Sequence, residues 1–148
     1  RYPDHPIRIT VYDNLFDRVL RRSPRLGAGF AHVFNNDIRR FGSRASCERG
    51  DFGFGPSVVE GGQMLLEDNV IEAWPGPTAC KQAVKITTGK QVDGFVLARG
   101  NLTRNGAIAR GEDRVFVPDY PYAPMDSRRV EAFVAANAGA GNSSTAAN

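Results

Sequence analysis

The sequence predicts an all-β solenoid, a stack of coils built from short strands, and two observations carry that expectation. Four segments share one pattern: ITVYDNLF (9–16), AHVFNNDI (31–38), MLLEDNVI (64–71) and VLARGNL (96–102) each bring β-branched or other apolar residues to an asparagine, with a further apolar residue close behind it. Those asparagines, Asn14, Asn36, Asn69 and Asn101, recur at steps of 22, 33 and 32 residues. Strand-turn units repeating on this scale bury their apolar faces only by stacking on one another. If coils stack at the strand spacing of about 4.8 Å, equivalent asparagines lie above one another and each amide donates to the next carbonyl. Asparagine also suits a left-handed turn on its own account, and the two roles are compatible.

The first step of 22 residues fits one coil of three short strands with tight bends. The longer steps leave room for loops of about 10 residues, placed at 39–50 and at WPGPTAC (74–80), and Gly100 reads as a one-residue adjustment in the last copy. Coils are expected over about 1–114. Beyond them VFVPDYPYAPM (115–125) is extended and proline-punctuated, and Asp126 is placed to cap a short helix with Val130, Phe133 and Val134 on one face and Gly139 as its stop. The last residues, AGAGNSSTAAN, offer nothing to pack and are expected to be mobile.

With 148 residues, 41% of them hydrophobic and 24% charged, the whole chain 1–148 fits one domain with its own core. No run approaches the roughly 20 apolar residues of a membrane-spanning helix, so no membrane partner is expected. The chain opens on Arg1 with no charged-then-apolar leader, which reads as a mature chain or a piece of a longer one. The net charge of +3 comes mostly from arginine, whose planar fork suits carboxylate or phosphate. Because 16 acidic residues are interspersed and no basic block exists, nucleic acid is not the expected partner.

The stretch VYDNLFDRVLRRSPRLGAGFAHVFNN (11–36) resembles the pectate lyases of polysaccharide lyase family 1, which carry a strand ending in Asn, then R-x-P-R-x-R-x-G, then a His-containing strand ending in Asn-Asn. SVVEGGQMLLEDNVIEAW is similar to the family's following coil, PTACKQAVK to its next approach segment, and DYPYAPMDSRRVEAFVAANAGAG to its Tyr-rich segment and closing helix. The resemblance covers nearly the whole chain. It implies the C-terminal coils of a right-handed parallel β-helix, with a short helix packed on its side, and makes the chain part of a single β-helix domain. Family members are longer, and the resemblance puts their calcium-holding carboxylates and a substrate lysine on coils upstream of this chain, which become its expected partner.

By that resemblance the reaction is calcium-dependent β-elimination in α-1,4-polygalacturonate (pectate). A base takes the C5 proton beside the uronate carboxylate, the C4 glycosidic oxygen leaves, and calcium stabilises the developing charge. The resemblance places the base at Arg22 and a substrate-binding arginine at Arg25. A guanidinium normally stays protonated, so neighbouring cations must favour its neutral form, and Arg21 and Arg25 are the near ones. If Leu26 points into the core, Arg25 and Gly27 point out. Gly27 stands where the family has a third arginine, which leaves open an impaired β-helix that only binds acidic polysaccharide. His32, inside an apolar strand, reads as packed or ladder-bonded rather than as an acid; His5 is given no role. Glu67 and Asp68 point apart on a strand, and no metal site is expected within this chain. The family acts outside the cell on plant cell walls, so the resemblance implies a secreted protein.

Cys47 follows Asn36 by 11 residues and Cys80 follows Asn69 by the same number, which puts both at one station of consecutive coils. Stacking brings such stations to about 5 Å at the backbone, within reach of a disulfide, and the extracellular setting that the resemblance implies would let the bond persist. Two buried free thiols are the other reading.

Overall fold

The computed structural model describes residues 6–43, 45, 53–76, 85–86 and 94–139. Cys47, Cys80 and the tail beyond residue 139 lie outside the described residues. Four stretches form coils. The first contains β1 (Arg8–Tyr12), β2 (Leu15–Asp17) and β3 (Arg25–Leu26). The second contains β4 (Phe30–Phe34), β5 (Asp37–Phe41) and β6 (Ser57–Val58). The third contains β7 (Gln63–Glu67), β8 (Val70–Ala73) and β9 (Lys85–Ile86), and the fourth β10 (Phe95–Arg99) and β11 (Leu102–Arg104).

Equivalent strands pair in parallel from coil to coil, giving three sheets: β1-β4-β7-β10, β2-β5-β8-β11 and β3-β6-β9. This is an all-β parallel β-helix. Residues in register on successive coils stack into columns. Ile9, Ala31, Met64 and Val96 share one register line, Val11, Val33, Leu66 and Ala98 another, and Phe16, Ile38, Ile71 and Thr103 run down the second sheet. Ala31, Val33, Ile38, Val58, Met64, Leu66, Ile71 and Val96 are wholly buried, forming one core that no coil completes alone.

The corner between the first and second sheets repeats in every coil. Asp13, Asn35, Asp68 and Gly100 stand at φ of 58°, 53°, 51° and 65°, each just before a ladder asparagine. A left-handed residue here turns the chain sharply, and Asp, Asn and Gly tolerate it best. Gly100 is therefore not an inserted residue: β10 pairs with β7 in unbroken register, and Gly100 is the fourth occupant of the corner. A Cβ there would lie 2.4 Å from Asp68 Oδ1.

The asparagine that follows each corner turns inward, and the four amides bond in one direction. Asn14 Nδ2 donates to Asn36 Oδ1 at 3.0 Å, Asn36 Nδ2 to Asn69 Oδ1 at 3.0 Å, and Asn69 Nδ2 to Asn101 Oδ1 at 2.9 Å. Each of those oxygens also accepts the backbone N–H of the preceding rung, at 3.1, 2.9 and 3.0 Å. The amides donate as well to strand carbonyls, Asn36 to Val11 O and Phe34 O, and Asn69 to Val33 O and Glu67 O.

Several expectations change. The apolar run that follows the arginines and ends at Asn35 and Asn36, which reads in the sequence as one strand, is two: β3 and β4 belong to different sheets, separated at Gly29, whose φ is 110° and where a Cβ would meet Ile7 O at 2.3 Å. Arg39 and Arg40 lie in β5 rather than in a loop, with Asp37 and Asp17 as their respective partners. The coils stop before 114, because residues 111–113 double back in antiparallel fashion along β10, with Ala98 N–H bonded to Gly111 O and Asp113 N–H to Val96 O. The helix, α1 (Ser127–Asn137), is capped by Asp126, which accepts the Arg128 N–H. It packs on Val70 of β8 through Val130 and Val134, while Phe133 leaves the buried stripe and is 37% exposed.

Replacing Asn69 by Leu removes the acceptor of two buried groups of Asn36 and the donor to Asn101. At about 1–3 kcal/mol per unpaired group, Asn69→Leu should lower unfolding free energy by several kcal/mol in chemical denaturation. Asn101→Leu, at the end of the ladder, should cost less.

Candidate active site

The candidate site lies on the third sheet, at the approach to β3. Arg21 forms a parallel bridge to Phe54, so the chain is already tied to the second coil before the strand begins. Arg22 then takes a left-handed conformation, φ 70°, and both its N–H and that of Ser23 donate to Gly55 O, at 3.1 and 3.3 Å. The Ser23–Pro24 peptide is cis. Pro24 O accepts the Ser57 N–H at 2.9 Å, after which β3 pairs with β6, Arg25 opposite Ser57 and Leu26 opposite Val58.

This local geometry sorts the side chains. Leu26 enters the core, whereas Arg21, Arg22 and Arg25 are all exposed. No described residue holds any of the three in an ion pair, in contrast to Arg39, Arg40, Arg99 and Arg104, which all have carboxylate partners. The fork of each exposed guanidinium suits a carboxylate. The line through Arg25 and Ser57 continues at backbone level to Lys85 of β9. Beside the turn, Gly53 sits so close to another part of its own coil that a Cβ would lie 2.3 Å from Gly42 Cα, with Leu20 O of the first coil 3.3 Å away.

His32 is elsewhere. It belongs to β4, in the first sheet, and is 1% exposed beneath the extended segment 115–125. Its Nε2 lies 2.7 Å from Glu67 Oε1 and its Nδ1 2.6 Å from the Tyr120 hydroxyl. Glu67 Oε2 accepts from Arg99 Nε at 2.6 Å. Burial drives the His32 imidazole below its usual pKa, against the opposing pull of the Glu67 bond and charge. Burial raises the Glu67 carboxyl, but bonds from Arg99, Tyr122 and His32 outweigh it and hold the group below the usual carboxylate range. Glu67 ends its strand and Asp68 sits in the corner turn, so the two do not alternate along one strand. Among the described residues, no group of three or more His, Cys, Asp or Glu is placed to hold a metal ion. Nor is any helix long and apolar enough to cross a membrane.

Sequence reasoning placed the arginines but missed this second cluster. Glu67 was legible only as a strand carboxylate, and Tyr120 and Tyr122 only as members of a proline-rich stretch. Their meeting depends on how the segment 115–125 crosses the first sheet.

The structure is a parallel β-helix that presents exposed arginines around a left-handed turn. The profile described as pectate lyase matches residues 4–143, and the chain belongs to that family. Its fold is similar to pectate lyase II from Xanthomonas campestris pv. campestris, with 21% identity, a TM-score of 0.64, and coverage of 91% of this chain and 41% of that one. It is similar also to a pectate lyase from Bacillus sp. N165 solved with trigalacturonate, with 21% identity, a TM-score of 0.64, and coverage of 85% and 38%. A thermostable pectate lyase, PL 47, gives 17% identity and a TM-score of 0.65 over 90% of this chain and 34% of that one. The chain thus spans about two-fifths of the length of the first of these structures.

Gly53→Ala should push residues 42 and 53 of the second coil apart beside the arginine turn. An overpacking cost of about 1–3 kcal/mol is expected, read as a lower Tm.

Proposed function

We propose that this chain supplies the base and part of the substrate cleft of a pectate lyase that cleaves polygalacturonate by β-elimination. The observation that carries the reading is the Arg22 turn, left-handed, anchored twice to Gly55 O and aimed away from the core beside Arg25. Support comes from the family to which the chain belongs and from the trigalacturonate bound to the related Bacillus enzyme.

In this reading Arg25 pairs with a uronate carboxylate, and its fork sets the sugar's orientation. Arg22, in its neutral form, accepts the C5 proton. The electron pair left on C5 forms the C4=C5 double bond, the C4–O bond breaks, and the glycosidic oxygen leaves as an alkoxide that takes a proton from water to become the new end of the shortened chain. The short reach and fixed direction given by the turn then do the positioning that a flexible surface arginine lacks.

The described residues do not fit a calcium site, and a calcium requirement would rest on ligands outside them. The same reading makes residues 1–148 the C-terminal part of one β-helix domain and places its work outside the cell. The matches to structures of which this chain spans 34–41% support the first point.

Elimination creates a double bond conjugated to a carboxylate, which absorbs in the ultraviolet. Polygalacturonate incubated with the protein and calcium should show that absorbance rising, faster toward alkaline pH. Arg22→Lys should lower kcat by about 10²–10⁴, the worth of a positioned base, with the fold intact. Turnover within tenfold of the parent would reject Arg22 as base. Arg25→Ala should raise KM; binding without any product in the parent protein would instead favour a β-helix that only holds acidic polysaccharide.

A further inference from the structure

The segment 115–125, called the strap below, crosses the first sheet without pairing as a strand or forming a helix. Side chains hold it down. Gln63 Oε1 accepts the Phe116 N–H at 2.7 Å, and the Phe30 and Phe116 rings meet at 5.2 Å. Asp119 pairs with Arg8, an exposed contact on both sides. Asn35 grips the far end twice, accepting the Met125 N–H and donating to the Met125 carbonyl, each at 2.8 Å. Between these anchors lies His32, bonded to the Tyr120 hydroxyl and packed edge-on against the Tyr122 ring at 4.4 Å.

We infer that His32 is an acid-sensitive latch for the strap: closed while the imidazole is neutral, and released from the first sheet when the imidazole takes a second proton.

The bonds around His32 form one directed chain. With Nε2–H donated to Glu67, Nδ1 is an acceptor and takes the Tyr120 O–H, leaving the Tyr120 oxygen to accept from Thr10 Oγ1 at 2.8 Å. Protonation makes Nδ1 a donor. Tyr120 must then accept where it donated, and its own proton has to turn toward Thr10. The added charge also enters a buried site whose carboxylate is already matched: Glu67 on β7 faces Arg99 on β10, Arg8 on β1 faces Asp119 on the strap, and Tyr120 and Tyr122 contribute no charge. Among the described residues, no unpaired carboxylate faces His32 to receive it.

The sign follows from linkage. The imidazole's pKa lies below its ordinary value in the closed state because of burial, and opening the strap restores it toward that value, about 6.5. Closure is therefore fully supported above pH 6.5 and weakens as pH falls below it. One proton taken up on opening raises the opening constant by up to about tenfold per pH unit. The latch lies on a different sheet from the Arg22 turn and does not depend on the activity.

Hydrogen exchange by mass spectrometry, corrected for intrinsic rates, tests this on the whole chain at pH 7.5, 6.5 and 5.5. Strap peptides should lose protection below pH 6.5, while peptides from β4 and β7 keep theirs. In His32→Gln, which retains an amide to donate to Glu67 but cannot titrate, strap protection should be flat over the same range. An unchanged strap in the parent, an equal slope in His32→Gln, or protection lost on raising the pH would each overturn the latch. Should His32→Gln fail to fold, an NMR titration of the His32 ring in the parent decides: a midpoint below 6.5 is expected, and one at or above it overturns the proposal.

Discussion

The amide ladder through Asn14, Asn36, Asn69 and Asn101 is the constraint on which the other features rest. A solenoid corner must bend backbone away from its sheet while keeping every buried N–H and C=O paired. Asparagine meets that need with one side chain, because its oxygen takes two donors from the preceding rung while its nitrogen reaches strand carbonyls and the next amide. A buried network of this kind is worth having only when every member is satisfied, and here the left-handed residue before each rung makes that possible by setting the angle of entry. Coil spacing, inward columns and sheet register then follow from one repeated bond.

That regularity explains how two unlike features coexist on a small molecule. On the third sheet the strands are only two residues long, and the backbone between them is free to take the left-handed turn at Arg22. On the first sheet the strands run to five residues, and their outward residues form a surface broad enough for the strap to cover. Charge is distributed to match. The arginines of β5, β10 and β11 are neutralised by carboxylates, whereas those around β3 are exposed and have no ion-pair partner among the described residues. The Tyr12 and Phe34 rings, stacked at 5.2 Å on adjacent strands, show the same coil-to-coil repetition in apolar form.

The repeat was legible in the sequence because the physics that creates it is local: an asparagine needs apolar strand residues before it and a bend at its position, and both leave marks within a few residues. The arginine turn was legible for a related reason, since its chemistry is carried by neighbours in the chain and by resemblance to a family. The division of 21–36 into two strands was less so. Its apolar run is nearly continuous, and only the approach of Ile7 O to Gly29 forces the break. Gly100 misled for the same reason, as a spacing of 32 beside one of 33 looks like an adjustment until the strands are laid in register.

By itself the sequence determined an all-β solenoid, its asparagine rungs and the capped helix at Asp126. The tertiary structure alone decided that Phe133 leaves the helix's buried stripe, that residues 111–113 fold back along β10, and that His32, Glu67, Arg99 and Tyr120 meet. The reason is range. Propensity and periodicity act over one coil, whereas the partners of His32 stand 35 and 88 residues away, brought within hydrogen-bonding distance only by the stacking of coils and the path of the strap across them.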